Sequence, residues 1–291
     1  MVYRQTRLAP TPSGFLHLGN VLSFAVTAYL ARRSGAGILL RIDDMDRERV
    51  QPGYIQDVFD TLAYLDIPFD KGPVNAASFE VSFSQRQRMS LYEKALSELR
   101  SMNALFACTC SRTQLASDGI DSIYPGTCRH KNIPLDTPGA AWRLYTDERP
   151  LTIIGVSGDQ ISQQLPKNMY DFIVRKRDGY PAYQLTSLMD DLFWKVDLIV
   201  RGADLLPSTL AQLFLAQIMN RPAFSETHFF HHLLLSSSDG QKFSKSAGAT
   251  SINFLRNEGR TSKDIFSLIG EKAGFKGITD WRALGQAVTG L

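Results

Sequence analysis

The three cysteines of this 291-residue chain all lie in one short stretch, CTCSRTQLASDGIDSIYPGTC. Cys108 and Cys110 form a C-x-C pair, and Cys128 follows eighteen residues after the second cysteine. Three thiols are one short of a four-cysteine metal site and one too many for a single disulfide. In a reducing compartment, clustered cysteines more often bind metal or do chemistry than form disulfides. The stretch therefore predicts a metal site that needs a fourth ligand, and the alternative is three free cysteines in a core.

Two other segments hold residue types that bind phosphate. SGFLHLGN places His17 and Asn20 in the first turn of a predicted helix that follows a strand, and the N-terminus of a helix attracts anions. GQKFSKSAG carries Lys242 and Lys245 on a loop that contains Gly and Ser. Two ammonium groups there can hold a triphosphate and follow the charge to a leaving pyrophosphate. The alternatives are a structural histidine and an ordinary solvent-exposed loop.

A cluster of acids follows the second predicted strand, in RIDDMDRER. Asp43, Asp44 and Asp46 lie at the C-terminal end of that strand, where open α/β sheets bind their ligands. The carboxylates can receive a substrate ammonium group or help to hold Mg²⁺. The alternative is that they cap a helix and are balanced by the neighbouring arginines.

The elements that must position these residues follow from the spacing of apolar side chains. Residues 3–9 predict a strand that runs into the turn APTPSG, and a helical stripe then begins at Leu18 and ends near Gly35. GILLRI (37–42) predicts a second strand, and residues 54–65 predict a second helix. This order is typical of the opening of a parallel α/β sheet.

The rest of the chain predicts a sheet domain interrupted by an insert and followed by a small helical tail. Its elements are a helix over 83–105, short strands and turns over 141–176, a helix-to-strand passage from Asp190, a helix over 207–219 capped by Ser208 or Thr209, a last strand over 231–237 and short helices over 250–290.

The composition, 44% hydrophobic and 21% charged residues, is that of an ordinary globular protein. No run approaches the roughly 18 apolar residues of a membrane span, and the first residues have no apolar signal core. We therefore expect a cytoplasmic protein that does not associate with membranes. The net charge of +3 does not identify a nucleic-acid binder. From Lys242 onward, eight basic residues face four acidic ones, which fits a phosphate-rich partner or a solvated helical face.

Taken together, these motifs resemble a known enzyme family. HLGN at His17 and KFSKS at Lys242 resemble the HIGH and KMSKS signatures of class I aminoacyl-tRNA synthetases. RLAPTPSGFLHLGN, LRIDDMDRERV, DFIVRKRDGYPAYQLTSLMDDL and LIVRGADLLPSTLAQ are similar to the glutamyl-tRNA synthetase catalytic domain, and the resemblance covers about residues 5–250. It implies an α/β fold with a Rossmann-type parallel sheet, an inserted zinc-containing subdomain and a small helical C-terminal tail.

The resemblance also implies domain boundaries. We expect a catalytic domain over 1–100 and 185–246, an insert with the metal site over 101–184, and a short helical region over 247–291. Only 45 residues follow Ser246, too few for a second module that reads the anticodon. The chain therefore resembles a shortened paralogous family, the glutamyl-queuosine tRNA(Asp) synthetases. Those enzymes attach glutamate to the queuosine base of the anticodon rather than to the 3′ end.

The family implies a two-step reaction. Glutamate attacks the α-phosphate of ATP to give glutamyl-adenylate and pyrophosphate, and the acyl group then moves to an RNA hydroxyl. By motif, His17, Lys242 and Lys245 are the catalytic residues, and they bind ATP, with its Mg²⁺, together with Asn20. The attacking carboxylate is already ionised, so positioning and charge stabilisation supply most of the acceleration.

The resemblance further implies a glutamate pocket with arginines for the substrate carboxylates, since a guanidinium binds a carboxylate in bidentate fashion. Tyr183 has the alternative interpretation of a core aromatic. Asp43 stands where glutamate enzymes usually carry Glu and glutamine enzymes carry Asp, so glutamine is the alternative substrate. The pocket residues are Arg7, Leu8, Ala9, Pro10, Thr11, Asp43, Tyr183 and Arg201.

The paralogous family also implies a fourth metal ligand through its pattern C-x-C…Y-x₃-C. Cys108, Cys110 and Cys128 match this pattern, and Tyr124 stands four residues before the last cysteine. Three thiolates and a phenolate would give Zn²⁺ the four ligands of a closed structural site. His130 is the alternative fourth ligand.

The expected protein is therefore a monomer that uses ATP and L-glutamate to modify tRNA(Asp) bearing queuosine. One alternative is a truncated glutamyl-tRNA synthetase that charges a tRNA 3′ end. The other is an inactive synthetase-like module that binds RNA or metal.

Overall fold

The computed structural model describes residues 1–111, 123–235 and 251–291. The predicted lysines Lys242 and Lys245 lie outside these described residues. Within the described ranges, the β-strands are β1 (Gln5–Leu8), β2 (Gly37–Leu40), β3 (Leu105–Cys108), β4 (Ala141–Leu144), β5 (Leu151–Gly155), β6 (Gln160–Gln163), β7 (Ile173–Arg175), β8 (Leu198–Gly202) and β9 (His228–His232). The α-helices of the same ranges are α1 (Leu18–Ser34), α2 (Pro52–Tyr64), α3 (Ala76–Ser78), α4 (Met89–Ser101), α5 (Tyr183–Phe193), α6 (Leu206–Ile218), α7 (Pro222–Ser225), α8 (Ile252–Asn257), α9 (Ser262–Lys272) and α10 (Trp281–Thr289).

The opening elements follow the order that the apolar spacing predicts. β1, α1, β2 and α2 occupy the predicted segments, with ends that differ by at most two residues. α1 ends where predicted, because Gly35 takes the left-handed conformation at φ 77° and its N–H donates to the Ala31 carbonyl. The tail after Ser251 is helical, as predicted.

Two predicted helices begin at other residues than expected. The helix predicted over 83–105 is shorter, because the Ser84 hydroxyl and the Gln85 N–H both donate to Asp44, at 2.6 and 2.7 Å. These bonds hold the chain out of an α-helix until Met89. The predicted cap of α6 by Ser208 or Thr209 is wrong, since α6 already begins at Leu206 with a proline in its first turn.

The last strand of the described chain, β9, begins and ends earlier than predicted. Its parallel register with β8 runs from Leu198 opposite His228 to Gly202 opposite His232. β8 ends at Gly202 and a 3₁₀ turn follows, so β8 offers no further partner beyond His232. Residues 236 and 237 of the predicted strand lie outside the described residues.

The described residues form two compact units. The first unit comprises Met1–Gln87, Val196–Asp204 and His228–Leu291, and the second comprises Arg88–Lys195 and Leu205–Thr227. The domain boundaries expected from the sequence separate a catalytic domain, an insert and a helical region. They describe functional parts of the chain, not compact units, and they stay a prediction.

A parallel sheet forms the centre of the first unit. β1 pairs with β2 in parallel, and β8 pairs with β9 in parallel. Asp197, just before β8, joins the two pairs. Its N–H donates to the Gln5 carbonyl at 3.0 Å, and its carboxylate accepts from the N–H groups of Arg4 and Gln5. The resulting order β2-β1-β8-β9 has its reversal point between β1 and β8, where open α/β sheets form a ligand crevice.

α1 is buried on several faces, unlike an ordinary surface helix. α10 covers part of it. A Cβ at Gly285 of α10 would lie 2.2 Å from Cβ of Tyr29 and 3.1 Å from the Ala25 carbonyl oxygen. Because those atoms are so close, the two helices approach each other only with glycine at this position.

The second unit combines an antiparallel sheet with helices. β4 lies between β3 and β7, and β5 pairs with β6 in antiparallel orientation. A buried ion pair joins two helical segments: Arg88 donates to both oxygens of Asp190 at 2.8 and 3.0 Å, and the Tyr92 hydroxyl donates to the same carboxylate at 2.7 Å. None of the helices in the described ranges is both long and apolar enough to cross a membrane.

Gly285→Ala is expected to lower the free energy of unfolding by about 1–3 kcal/mol, because the new methyl group would overlap Tyr29. Urea denaturation measures this change. Gly53→Ala in α2 is the matched control. No atom lies within 4 Å of the position that its methyl group would take, so alanine should leave stability unchanged or raise it. Equal stability of both variants would contradict the close packing of α10 on α1.

Candidate functional site

The ends of β1 and β2 carry most of the predicted pocket residues. The pairing of these strands continues past their last residues, because Arg41 N–H donates to the Leu8 carbonyl at 2.8 Å and Asp43 N–H donates to the Pro10 carbonyl at 2.9 Å. The predicted segment from Arg7 to Thr11 therefore lies beside Asp43 at the carboxyl edge of the sheet.

Two buried arginines lie at this edge of the first unit. Arg7 is 5% exposed, and its Nη1 donates to the Val200 carbonyl at 3.3 Å. Arg201, the next residue of β8, is 3% exposed and lies over the ring of Phe229, with its Cζ 6.0 Å from the ring centre. The desolvation of two guanidinium groups is costly unless an anion is near. Arg7 and Arg201 lie on adjacent strands, and their burial favours an anion beside them. A substrate carboxylate can therefore bind here.

Asp43 already has a cationic partner. Arg41 Nε and Nη2 contact the two Asp43 oxygens at 2.7 and 2.9 Å, and both side chains are buried. This bidentate pair is of the strong, geometrically specific kind. The pair was not predicted from the sequence, although residues i and i+2 of an extended chain point to the same face.

Asp44 has the structural role that the alternative interpretation described. Its carboxylate is fully buried and accepts hydrogen bonds from Ser84, Gln85 and Arg47. Asp46 is partly exposed and lies 3.6 Å from Arg49. Asp43 and Asp44 are thus balanced by neighbouring donors, not grouped as an open acidic cluster.

His17 is the N-cap of α1, and its ring has a defined protonation pattern. Nδ1 accepts from the Gly19 N–H at 3.1 Å, and the Asn20 side chain accepts from the His17 N–H at 3.0 Å. Desolvation by the surrounding protein lowers the pKa of His17. The neutral ring therefore carries its proton on Nε2, where it can donate to an anion. The capping role and the anion-binding role are compatible in one side chain.

The residue before His17 is held from two directions. Leu16 N–H donates to the Asp57 carboxylate of α2 at 2.7 Å, and the Leu16 carbonyl accepts from Ile252 N–H at 2.8 Å. Burial raises the pKa of Asp57, which is 2% exposed. Asp57 was not singled out from the sequence. An acidic residue on the buried, otherwise mainly apolar face of α2 could have indicated it.

The predicted lysines Lys242 and Lys245 remain outside the described residues. The described chain resumes at Ser251, which forms an antiparallel bridge with His17. Tyr183 belongs to the second unit, where it is the first residue of α5 and is 41% exposed. The alternative of a core aromatic is therefore wrong, and the substrate role of Tyr183 stays a prediction.

Two histidines at the end of β9 were not singled out from the sequence. His231 is the register partner of Arg201, and burial, followed by the charges of Arg201 and His232, lowers its pKa to about 4. His232 Nδ1 lies 2.9 Å from the Leu233 carbonyl, to which it donates, so Nε2 accepts from the Ser23 hydroxyl at 2.6 Å. Burial lowers the pKa of His232 as well. Both imidazoles are therefore neutral at pH 7.

The three cysteines come together in the second unit as a candidate metal centre. The sulfur atoms of Cys108, Cys110 and Cys128 lie within 4.8 Å of one another, and those of Cys110 and Cys128 are 3.5 Å apart. The Tyr124 hydroxyl accepts from Cys128 N–H at 2.8 Å and hydrogen-bonds with Cys108. His130 is exposed and does not belong to this group in the described chain.

The electrostatics of the cluster favour a cation. Burial and the neighbouring thiols raise the pKa of Cys110 to about 12, and burial raises the pKa of Tyr124. Burial opposes ionisation of Cys128 too, but hydrogen bonds from Thr109 N–H and from neighbouring side chains lower its pKa to about 7. A metal ion would offset the repulsion between the anionic forms of these groups. The donor set therefore fits a thiophilic metal.

Stability should fall when the pH is lowered from 7 to 5. The pKa of His231 is about 4 in the folded chain against an ordinary value of 6.5. Between these values the unfolded state binds more protons, so acid favours unfolding. Urea denaturation at both pH values should show a smaller pH effect in His231→Gln than in the parent chain. His130→Gln is the control, since that imidazole is exposed, and an equal pH effect in all three proteins would contradict the role of His231.

Comparisons with known proteins agree with the fold and the motifs. The family model for the class I tRNA synthetases (E and Q), catalytic domain, matches residues 4–123 and 156–276. The glutamate-tRNA synthetase of Elizabethkingia anophelis superposes with a TM-score of 0.74 at 21% identity, over 97% of this chain and 65% of that chain. The chain thus spans less than two thirds of that solved protein. The predicted α/β class I synthetase fold, with its parallel sheet, clustered cysteines and helical C-terminal region, is confirmed.

Curated relatives are more similar in sequence and in length. The glutamyl-Q tRNA(Asp) synthetase of Pseudomonas entomophila (strain L48) is 38% identical over 240 residues, which cover 82% of this chain and 76% of that protein. The enzyme of the same name from Symbiobacterium thermophilum is 33% identical over 290 residues, with coverages of 94% and 87%. The chain therefore belongs to the class I tRNA synthetases (E and Q) and, within them, to the glutamyl-Q tRNA(Asp) synthetase family.

Proposed function

We propose that this protein activates L-glutamate with ATP and transfers the glutamyl group to the queuosine base in the anticodon of tRNA(Asp). The observation that carries the proposal is the pair of buried guanidinium groups, Arg7 and Arg201, on adjacent strands of the first unit. An anionic amino acid suits this pair better than an amide does. The names of the curated relatives support the choice of tRNA and of queuosine.

In the proposed first step, the ionised α-carboxylate of glutamate attacks the α-phosphate of ATP, which enters as its Mg²⁺ complex. A bond forms between the carboxylate oxygen and the α-phosphorus, and pyrophosphate leaves with the electron pair. His17 donates a hydrogen bond from Nε2 to a phosphate oxygen, beside Asn20 at the N-terminus of α1. Lys242 and Lys245 neutralise the departing pyrophosphate. Chain connectivity supports this role, since Lys245 is six residues from Ser251, which pairs with His17.

The proposed glutamate pocket uses the carboxyl edge of the sheet. Arg7 and Arg201 hold the substrate carboxylates, and the chain from Leu8 to Thr11 lines the pocket. Asp43 contacts the substrate ammonium group, and its bidentate partner Arg41 fixes the carboxylate orientation. The resemblance to the synthetase family also implies a substrate role for Tyr183, and that role stays a prediction.

In the second step, an RNA hydroxyl attacks the acyl carbon of glutamyl-adenylate. An ester bond forms, the mixed anhydride bond breaks, and AMP leaves as the hydroxyl loses its proton. The chain holds both reactants in place and stabilises the charge that develops. A cytoplasmic monomer remains the expectation from the sequence.

We also propose that Cys108, Cys110, Cys128 and the Tyr124 oxygen bind Zn²⁺. Three sulfurs within 4.8 Å and a neighbouring phenol oxygen match the four ligands of a closed structural site. When bound, zinc would link the end of β3 to the turn around Cys128.

Labelled glutamate, supplied with ATP and total tRNA, tests the proposed function. We expect label on tRNA from cells that make queuosine, and none on tRNA from cells unable to make it. Equal labelling of both pools would indicate charging of the 3′ end.

Lys245→Ala should reduce exchange of labelled pyrophosphate into ATP by at least about 10²-fold, as expected for a lost charge-stabilising donor. If the parent protein shows no pyrophosphate exchange under any condition, with or without tRNA, the inactive binding module is the remaining interpretation.

Cys110→Ser is expected to lower the bound zinc and the melting temperature together, because the metal contributes to folding. A chelator should lower the melting temperature of the parent protein and leave that of Cys110→Ser unchanged. Tyr124→Phe and His130→Ala form a matched pair for the fourth ligand. Loss of zinc affinity in Tyr124→Phe alone supports the phenolate, whereas loss in His130→Ala alone would replace it by the imidazole.

A further inference from the structure

A cavity in the second unit is bordered by two arginines that have no part in the proposed reaction. It has a volume of about 170 Å³ and lies between the turn at residues 135–139 and the sheet. Trp142 of β4 and Arg175 of β7 line it, together with Arg177 from the turn after β7. Trp142 and Arg175 are register partners on adjacent antiparallel strands, so the sheet itself positions this side of the cavity.

Neighbouring groups hold both guanidinium groups in place. The Cζ atom of Arg175 lies 4.7 Å from the ring centre of Trp142, whose Nε1 donates to the Leu135 carbonyl at 2.7 Å. Arg177 Nε donates to the Gly139 carbonyl at 2.8 Å. Because these contacts restrict both side chains before a ligand arrives, binding would cost less side-chain entropy than at free surface arginines.

The acids near the cavity are already paired with other cations. Asp136, which also lines the cavity, is in a bidentate pair with Arg100 at 2.8 and 2.5 Å, and Asp178 pairs with Lys176 at 3.0 Å. Among the described residues, neither Arg175 nor Arg177 has a carboxylate partner within ion-pair distance. The Asp136 carboxylate also attracts Arg175 beyond ion-pair distance, but its hydrogen-bonded partner is Arg100. The cavity therefore keeps a net positive charge that a ligand can neutralise.

We infer that this cavity binds a phosphodiester group of the RNA backbone, an inference that rests on the proposed function for its choice of RNA. The planar forks of two arginines match the tetrahedral oxygens of a phosphate. Trp142 is only 8% exposed, so its ring orients Arg175 and does not stack on a nucleobase. The contact would thus position the RNA without reading its sequence.

Binding of an unmodified tRNA(Asp) transcript, measured as Kd at several salt concentrations, tests the inference. Arg175→Gln and Arg177→Gln should each raise Kd about tenfold and reduce the slope of log Kd against log salt by about one, as expected for one lost phosphate contact. Arg177→Lys keeps the charge but loses the fork, and it should also weaken binding. Lys167→Gln is the control, because Lys167 is an exposed cation of the same unit that does not line the cavity. Melting temperatures of all variants verify that they fold.

Three results would overturn the inference: unchanged affinity and slope in both glutamine variants, an equal loss in Lys167→Gln, or full affinity in Arg177→Lys. Competition with inorganic phosphate distinguishes an RNA phosphodiester from free phosphate as the ligand of the cavity. Phosphate should compete with RNA for the parent protein at constant ionic strength. Phosphate binding that both glutamine variants abolish, without any change in RNA affinity, would exclude RNA as the ligand. Binding to a transcript without queuosine is measured independently of transfer. Binding through the cavity together with no glutamate transfer to queuosine-containing tRNA would therefore contradict the proposed function alone.

Discussion

The carboxylate of Asp197 joins the two halves of the parallel sheet in the first unit. It accepts hydrogen bonds from the backbone N–H groups of Arg4 and Gln5 at 3.0–3.1 Å, while its own N–H donates to the Gln5 carbonyl. These bonds fix β1 beside β8, so Arg7 and Arg201 reach the same edge. If this carboxylate were lost, the N–H groups of Arg4 and Gln5 would lose their partner. The larger cost, up to about 1–3 kcal/mol, would fall on the Gln5 N–H, whose hydrogen bond is partly buried, because the hydrogen bonds of Arg4 are exposed. The pocket at the strand ends therefore depends on an interaction at the opposite ends of the same strands.

Buried charge is the second constraint on the site. Asp43 is held by Arg41, and Asp44 is held by hydroxyl, amide and guanidinium donors. These pairs offset the desolvation of the carboxylates, and removing one partner would leave an uncompensated charge. Asp44 accepts hydrogen bonds from Arg47 and from Ser84 and Gln85, just before α4. One carboxylate therefore orders two segments that are far apart in sequence. The substrate-binding chemistry proposed for Asp43 thus takes place in a framework of balanced charges.

The cysteine cluster in the second unit combines chemistry with packing. Phe106 and Tyr145 pack around the cysteines and Tyr124. The Arg143 guanidinium lies 3.6 Å from the centre of the Tyr124 ring. A cation over the ring face stabilises the position of the phenol, and it places positive charge near groups whose ionised forms are anionic. A metal site here would thus be built on the packed end of an antiparallel sheet.

Local patterns predicted the elements and the identity of several site residues. Short apolar runs between turn residues determine β1, β2 and α1, and His17 follows directly from its place at the start of α1. The grouping of three cysteines on one stretch likewise needed no structure. These features depend on interactions between residues that are close in sequence, which hydrophobic periodicity and capping preferences report. The motifs and their order along the chain were enough to reveal the resemblance to the synthetase family.

Other features depend on partners far apart in sequence. Leu16 and Asp57 are 41 residues apart, and Ser23 and His232 are 209 residues apart, so no local pattern links them. The start of α4 depended on Asp44, and the end of β9 depended on where β8 stops. The sequence by itself determined which residues carry charge, thiol or imidazole groups and on which elements they lie. Only the tertiary structure decided which of them are paired. A buried polar group needs a hydrogen-bond or ion-pair partner, and the fold determines which groups lie close enough to be that partner.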